Sequence, residues 1–288
     1  MTGLYPIETH LVHRERRVPT FFYGTAWKED QTEPLVRKAL AAGFRGIDTA
    51  NQRRHYHEAG VGAALKSAID AGEVRREDLF VQTKFTYTAG QDHRLPYDPA
   101  AAPAEQVAQS LASSLDHLHT EYLDAFILHG PSVRQGLSPV DWEVWRRMEA
   151  LQQEGAVRRI GVSNIAVDQL TLLLEKATVM PAFVQNRCFA HTGWDARVRA
   201  VCRQNGIIYQ GFSLLTANAA VLNQPGVFRL VQQLRRTVPQ IVFRFALQVG
   251  MIPLTGTTSE THMREDLSVY DFELDAGDVQ MIENIAVG

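Results

Sequence analysis

A short apolar run, a polar residue and a helical stretch recur eight times along this chain, and that recurrence leaves few architectures open. The apolar runs fall at 20–23, 44–47, 79–83, 123–128, 159–162, 182–184, 207–210 and 251–254. The segments between them carry helix signals. Thr32 is placed to cap a helix that shows Leu35, Val36, Ala39 and Leu40 on one face and stops at Gly43. Val107, Leu111, Leu115 and Leu118 follow helical spacing, as do Val144, Trp145, Met148 and Leu151 before Gly155. Asp195 is placed to cap a helix ending at Asn205-Gly206, and the segment from Pro239 to Gly250 opens and closes as a helix should. Eight such units predict a closed parallel (β/α)8 TIM barrel, an α/β fold occupying 1–288 as one domain.

The competing architecture, an open doubly wound sheet, calls for a glycine-rich phosphate turn after an early strand. Gly60-Val61-Gly62 is the nearest match, but Leu65 stands where the third glycine belongs, so no dinucleotide fingerprint is assigned. Two cysteines, Cys188 and Cys202, make neither a disulfide framework nor a cysteine zinc site. The net charge of −3, with basic residues spread along the chain, argues against nucleic acid as a partner. Apolar runs no longer than that from Ala39 to Ala42 predict no membrane span, and residues 1–6 lack the pattern of a signal peptide. A cytoplasmic location is expected. Only five of the 29 basic residues are lysines, which draws attention to any lysine at a special position.

In a barrel the chemistry sits at the C-terminal ends of the strands, so the residues that follow each apolar run define the candidate site. They are Asp48 after the second run, Lys84 after the third, His129 after the fourth, Ser163 and Asn164 after the fifth and Gln185 after the sixth. Phe212 and Ser213 follow the seventh, and Thr255, Gly256, Thr257 and Thr258 the eighth. Each has an ordinary structural reading when taken alone, as a turn, capping or solvated residue. A carboxylate, an ammonium and an imidazole converging on one mouth form a setting in which pKa values shift. Three long connections, 85–102, 130–139 and 213–224, all follow strands and are expected to surround that mouth.

Several stretches in this order resemble the aldo-keto reductase family over nearly the whole chain. They are Tyr23-Gly24-Thr25-Ala26-Trp27, Ile47-Asp48-Thr49-Ala50, Phe80-Val81-Gln82-Thr83-Lys84, Ile127-Leu128-His129-Gly130-Pro131, Gly161-Val162-Ser163-Asn164 and the block from Thr255 to Leu267. The resemblance implies reversible, nicotinamide-dependent reduction of an aldehyde or ketone by an Asp, Tyr, Lys and His tetrad, without a metal. Asp48, Lys84 and His129 fall on the family motifs. The tyrosine is displaced: the family places it five residues after the Asp, where this chain has Arg53. Tyr56 is the tyrosine within reach, with three extra residues ahead of it, whereas counting back from Val61-Gly62 puts His55 at that position. In the implied mechanism Tyr56 donates a proton, Lys84 lowers its pKa, Asp48 holds Lys84, and His129 orients the substrate oxygen.

The resemblance also implies the cofactor contacts. Ser163, Asn164 and Gln185 match the set that bonds the nicotinamide carboxamide, and Phe212 stands where the family stacks a Tyr on the ring. Thr25, Asp48, Ser213, Leu215, Thr255, Gly256, Thr257, Thr258, His262, Arg264 and Asp266 complete the cofactor set. The family's Lys-Ser pair reads Leu254-Thr255 here, and Arg264 is the residue suited to forking a 2′-phosphate, so NADP(H) is expected ahead of NAD(H). Trp27, Tyr56, Tyr87 and His129 are expected to face a small-molecule carbonyl substrate, with Tyr97 nearby. The sequence closes at Gly288, where many relatives continue into a loop over the substrate, so a more open pocket is expected; the resemblance implies a monomer. Two other classes remain to be separated by the geometry. One is a metal-dependent barrel hydrolase using His55, His57, Lys84, His129 and Asp48; the other is a protein that binds the cofactor without turnover.

Overall fold

The structure, a computed structural model, describes residues 9–13 and 16–287. Two short antiparallel strands, β1 (His10–His13) and β2 (Arg16–Pro19), lead into eight parallel strands that close into a barrel in chain order. These are β3 (Phe22–Gly24), β4 (Gly46–Asp48), β5 (Phe80–Phe85), β6 (Ala125–Leu128), β7 (Ile160–Ser163), β8 (Phe183–Arg187), β9 (Ile208–Phe212) and β10 (Met251–Thr255). β10 pairs back onto β3 through Leu254 with Phe22 and Thr255 with Tyr23. Each of the eight apolar runs of the sequence contains the core of one barrel strand. Nearly every strand residue is buried, as expected of strands covered on both faces.

The outer layer begins with α1 (Thr32–Ala42), α2 (Glu58–Asp70), α3 (Pro103–His117), α4 (Pro139–Gln153), α5 (Val167–Lys176) and α6 (Ala196–Gln204). α7 (Ala219–Leu222), α8 (Pro225–Leu234) and α9 (Val238–Gln248) follow β9, and α10 (Glu260–Leu267) and α11 (Ala276–Glu283) follow β10. The connection expected as a loop at 213–224 therefore contains a helical turn, held by burial of Leu222. α1 stops at Gly43, whose left-handed φ of 116° suits a residue without a Cβ. Two capping assignments need correction. Thr32 is the first helical residue and not the cap, because a 3-10 turn at Glu29–Gln31 runs straight into α1; its hydroxyl donates to the Glu29 carbonyl at 2.7 Å. Asp195 does precede α6, but its carboxylate accepts from Asn186 Nδ2 at 2.9 Å and Tyr209 OH at 2.8 Å and does not bond the helix.

Gly60 and Gly62 lie inside α2, where a Cβ on Gly62 would stand 1.8 Å from the His117 carbonyl oxygen. The glycine lets α2 and the end of α3 touch, a packing role that accounts for the incomplete phosphate motif. The hairpin β1–β2 had no counterpart among the sequence-predicted strands. Its backbone is held to the barrel by Arg159, which precedes β7 and donates to the His13 carbonyl at 2.8 Å. Among the described residues no helix is long and apolar enough to cross a membrane. Residues 1–6, read above for a signal peptide, lie outside the described residues.

The barrel interior divides into two layers. Near the strand starts, Phe22, Phe80 and Phe183 pack edge to face, with centroids 5.4 and 5.6 Å apart, among Val18, Ile127 and Ile252. Phe80 is central, touching both other rings. Phe80→Ala should therefore lower stability by about 3–5 kcal/mol in urea unfolding, and a loss under about 1 kcal/mol would show that no packed apolar floor exists.

Candidate active site

Above the phenylalanines the interior turns polar. Side chains two apart on a strand share a face, so Gln82 and Lys84 of β5 both point inward. Lys84 is almost fully buried at 1% side-chain exposure and its ammonium is saturated. It donates to Asp48 Oδ1 at 2.7 Å, Asp48 Oδ2 at 2.8 Å and the Thr49 carbonyl at 2.7 Å. Burial pulls the Lys84 pKa down, and the charge and hydrogen bonds of Asp48 oppose that pull. Asp48 Oδ1 also accepts from Gln82 Nε2 at 2.7 Å and Gln185 Nε2 at 2.9 Å.

The three residues that displace the tyrosine coil into a turn. The backbone N–H groups of His55 and Tyr56 both donate to the Gln52 carbonyl, at 3.1 and 3.0 Å. The Gln52 side chain in turn donates to the Gly90 carbonyl at 2.6 Å, and Asn51 Nδ2 donates to Ser110, Ser113 and Ser114 of α3. This anchoring brings the Tyr56 ring to 5.2 Å from Lys84 Nζ and to 6.1 Å from the His129 ring. His55 instead lies against the Trp27 ring at 4.0 Å, on the lip of the site. Arg53, at the family's tyrosine position, turns out to Glu29 at 3.0 Å.

Electrostatics differ from the sequence expectation at the phenol. Burial, and then the charge of Asp48, raise the Tyr56 pKa above its ordinary value of 10. Lys84 therefore does not acidify the phenol in this state. The His129 pKa falls to about 3, chiefly through burial and then through the Lys84 charge, so the imidazole is neutral at pH 7. Its Nδ1 is bonded to Thr86 Oγ1 at 2.6 Å.

A cavity of about 780 Å³ opens over this group and is lined by Asp48, Tyr56, His129, Ser163, Asn164, Gln185, Phe212, Ser213, Leu215, Thr255, Gly256, Thr257, Thr258, His262, Asp266 and Trp27 among others. Three strand ends reach it through left-handed backbone at non-glycine residues, Trp27 (φ 62°), Asn164 (φ 51°) and Ser213 (φ 58°), the kind of local strain that gathers at binding sites. Ser163 Oγ donates to the Gln185 carbonyl at 2.6 Å, and Asn164 Nδ2 donates to the His129 carbonyl at 2.8 Å. Burial raises the Asp266 carboxyl to about 6.

Three expected site residues lie elsewhere. Thr25 is fully buried behind the strand ends, with its N–H and hydroxyl both on the Asp48 carbonyl at 3.0 Å. Tyr87 does not line the cavity; its hydroxyl donates to Asp141 Oδ1 at 2.8 Å, fastening the loop after β5 to the start of α4. Arg264 is exposed on α10 and bonds Glu260 one turn back at 3.3 Å, so its guanidinium is not presented to the cavity.

Other cations line the cavity. Lys28 is buried, with Nζ on the Gly256 carbonyl at 2.7 Å and its pKa lowered to about 8 by burial. Arg187 lines it too, its guanidinium 5.7 Å from the Phe212 ring. The scarcity of lysine drew attention to lysines in general and did not single out Lys28, whereas the two-residue strand period puts Arg187 on the same face as Gln185. Among the described residues no three His, Cys, Asp or Glu side chains converge as a metal set. His57 Nδ1 faces the Glu29 carbonyl at 3.3 Å and not His129.

The family model described as the aldo/keto reductase family matches residues 20–287. The chain is 31% identical over 291 residues to an uncharacterized oxidoreductase, YtbE, of Bacillus subtilis (strain 168), spanning 97% of this chain and 96% of that one. It is 29% identical to an NAD(P)H-dependent 6'-deoxychalcone synthase of Glycine max, over 94% of this chain and 88% of that one. The crystal structure of an aldo/keto reductase from Brucella melitensis superposes with a TM-score of 0.81 at 24% identity, over 99% of this chain and 100% of that one. The closed barrel and the full-length match together place the chain in the aldo/keto reductase family of NAD(P)-dependent oxidoreductases.

Proposed function

We propose that this chain reduces a small aldehyde or ketone to the alcohol, reversibly, with Tyr56 as the proton donor. The observation that carries the reading is that the Tyr56 and His129 rings line one cavity 6.1 Å apart, with the Lys84 ammonium 5.2 Å from the Tyr56 ring. The residues present fit a nicotinamide cofactor. The cavity has the volume of a cofactor site, Phe212 offers an aromatic face, and Gln185, Ser163 and Asn164 offer polar atoms beside it. When bound, the cofactor supplies the hydride.

The chain's own residues handle the proton and the oxygen. Neutral His129, in the tautomer whose Nδ1 accepts from the Thr86 hydroxyl, presents Nε2–H to the carbonyl oxygen and orients it. Tyr56, held above its ordinary pKa, keeps its proton at neutral pH and gives it to the oxygen as negative charge develops there. Lys84 then faces the resulting phenolate, so its charge acts on the product of the transfer more than on the resting acid. Asp48 holds the ammonium in place. NADP(H) is favoured over NAD(H) because Lys28, Arg187 and His262 line the cavity, and Lys28 is the cation buried beside Gly256.

Loss of nicotinamide absorbance with an activated aromatic aldehyde, with NADPH and NADH run in parallel, tests this reading. Consumption of NADPH at the lower KM is expected; cofactor binding without turnover would favour the non-catalytic reading. Tyr56→Phe should lower kcat by about 10²–10⁴-fold with cofactor affinity unchanged. If that variant keeps its rate while a His55 variant loses it, the donor is His55.

The pH dependence follows from the shifts. His129 gains its proton only near pH 3 and the phenol stays protonated well above 10, so kcat for reduction should be flat from pH 5 to 9. A break near pH 6.5 that disappears in His129→Asn would contradict it. Lys28 carries its charge below about pH 8 and loses it above. Affinity for NADPH should therefore weaken as pH rises through 8, and Lys28→Met should flatten that trend in a binding titration.

A further inference from the structure

Four buried side chains from four strands close a hydrogen-bonded square in the upper barrel. Its two donors are the amide nitrogens of Gln82 and Gln185, and its two acceptors are Asp48 Oδ1 and Gln210 Oε1. Gln82 Nε2 reaches them at 2.7 and 3.0 Å, and Gln185 Nε2 at 2.9 and 3.0 Å. Gln210 Nε2 returns a bond to Gln82 Oε1 at 3.1 Å. Exposures of 0, 0, 2 and 3% for Gln82, Gln210, Gln185 and Asp48 exclude bulk water from the square.

A primary amide has two N–H groups, and both of those on Gln185 are spent on the square. Its Oε1 is thereby the amide atom left to face the cavity that Gln185 lines. Turning the amide over would set its oxygen, with no donor of its own, against a carboxylate oxygen and a carbonyl oxygen in a dry interior, and each of those two would lose one of its donors. The orientation of Gln185 is thus dictated by Asp48 at the cavity wall and by Gln210, which with Gln82 lies behind it.

We propose that Gln82 and Gln210 are positioning residues that lock Gln185 as an acceptor, so that the cavity selects a pyridine cofactor whose ring substituent carries N–H donors. The inference rests on the cofactor reading given above. Gln210 is the residue whose oxygen both other amides share, and Gln82 fixes which way Gln210 itself faces.

Calorimetric titration with NADP⁺ and with its 3-acetylpyridine analogue, whose methyl ketone has no N–H, tests the lock. The wild-type protein is expected to bind NADP⁺ about five-fold more tightly, the worth of one such bond. In Gln210→Met, with folding checked by its thermal transition, Asp48 is the one acceptor of the square left to hold the Gln185 amide, and the ratio should fall toward one. Gln210→Glu, in its protonated form, keeps an oxygen for both amides and an O–H for Gln82 Oε1 and should keep the ratio. Gln82→Met, which releases Gln210, should move the ratio in the same direction as Gln210→Met and stands in if that variant does not fold. A Met variant that binds both molecules with the wild-type ratio assigns the square to stability alone and overturns the proposal, as does a wild-type protein that does not discriminate. If neither molecule binds the wild type, the cofactor reading fails instead.

Discussion

An ammonium buried at the centre of a barrel is the constraint around which the upper half of this molecule is arranged. Lys84 has no water to turn to, and an unpaired charge there would cost several kcal/mol. Asp48 answers it from the neighbouring strand with both oxygens, and the Thr49 carbonyl supplies the third acceptor. Asp48 then needs donors of its own, which Gln82 and Gln185 provide, and those amides need Gln210. The polar layer is thus one chain of obligations, beginning at a single lysine and running to Gln210, whose Nε2 returns a bond to Gln82. Below it, the phenylalanine floor keeps the same interior dry and rigid.

The displaced tyrosine shows how a site tolerates insertion. The extra residues before Tyr56 are taken up by a turn on the Gln52 carbonyl, while Gln52 and Asn51 tie the segment to the loop after β5 and to α3. The Tyr56 ring stays beside Lys84 because the anchors at Asn51 and Gln52 lie before the turn and the start of α2 lies after it. Burial keeps the phenol protonated there.

The strand positions and Asp48, Lys84 and His129 were legible in the sequence because barrel strands read as apolar runs and chemistry follows their ends. Tyr56 was legible only as the tyrosine within reach; its facing partner Lys84 is a fact of folding. Arg264 and Tyr87 stand away from the cavity for one reason. Residue type at a helix or loop position does not say which way a long side chain turns, and each had a closer partner in Glu260 or Asp141. The hairpin β1–β2 was missed because two four-residue strands rich in His and Arg carry almost no alternation. Gln82 and Gln210 were hidden inside apolar runs, where a glutamine passes for an interruption of the strand.

Trp27 stands on the lip of the cavity at 71% exposure, its indole against His55, while Trp145 and Trp194 are sealed in the core. The chain therefore carries its own optical probe at the entrance. Of the four tryptophans, Trp142 is half-buried on α4 and away from the cavity, so Trp27 is the indole that lines the site. A molecule bound beside it changes the surroundings of a solvent-facing indole, and occupancy can be read from its emission without attaching a dye.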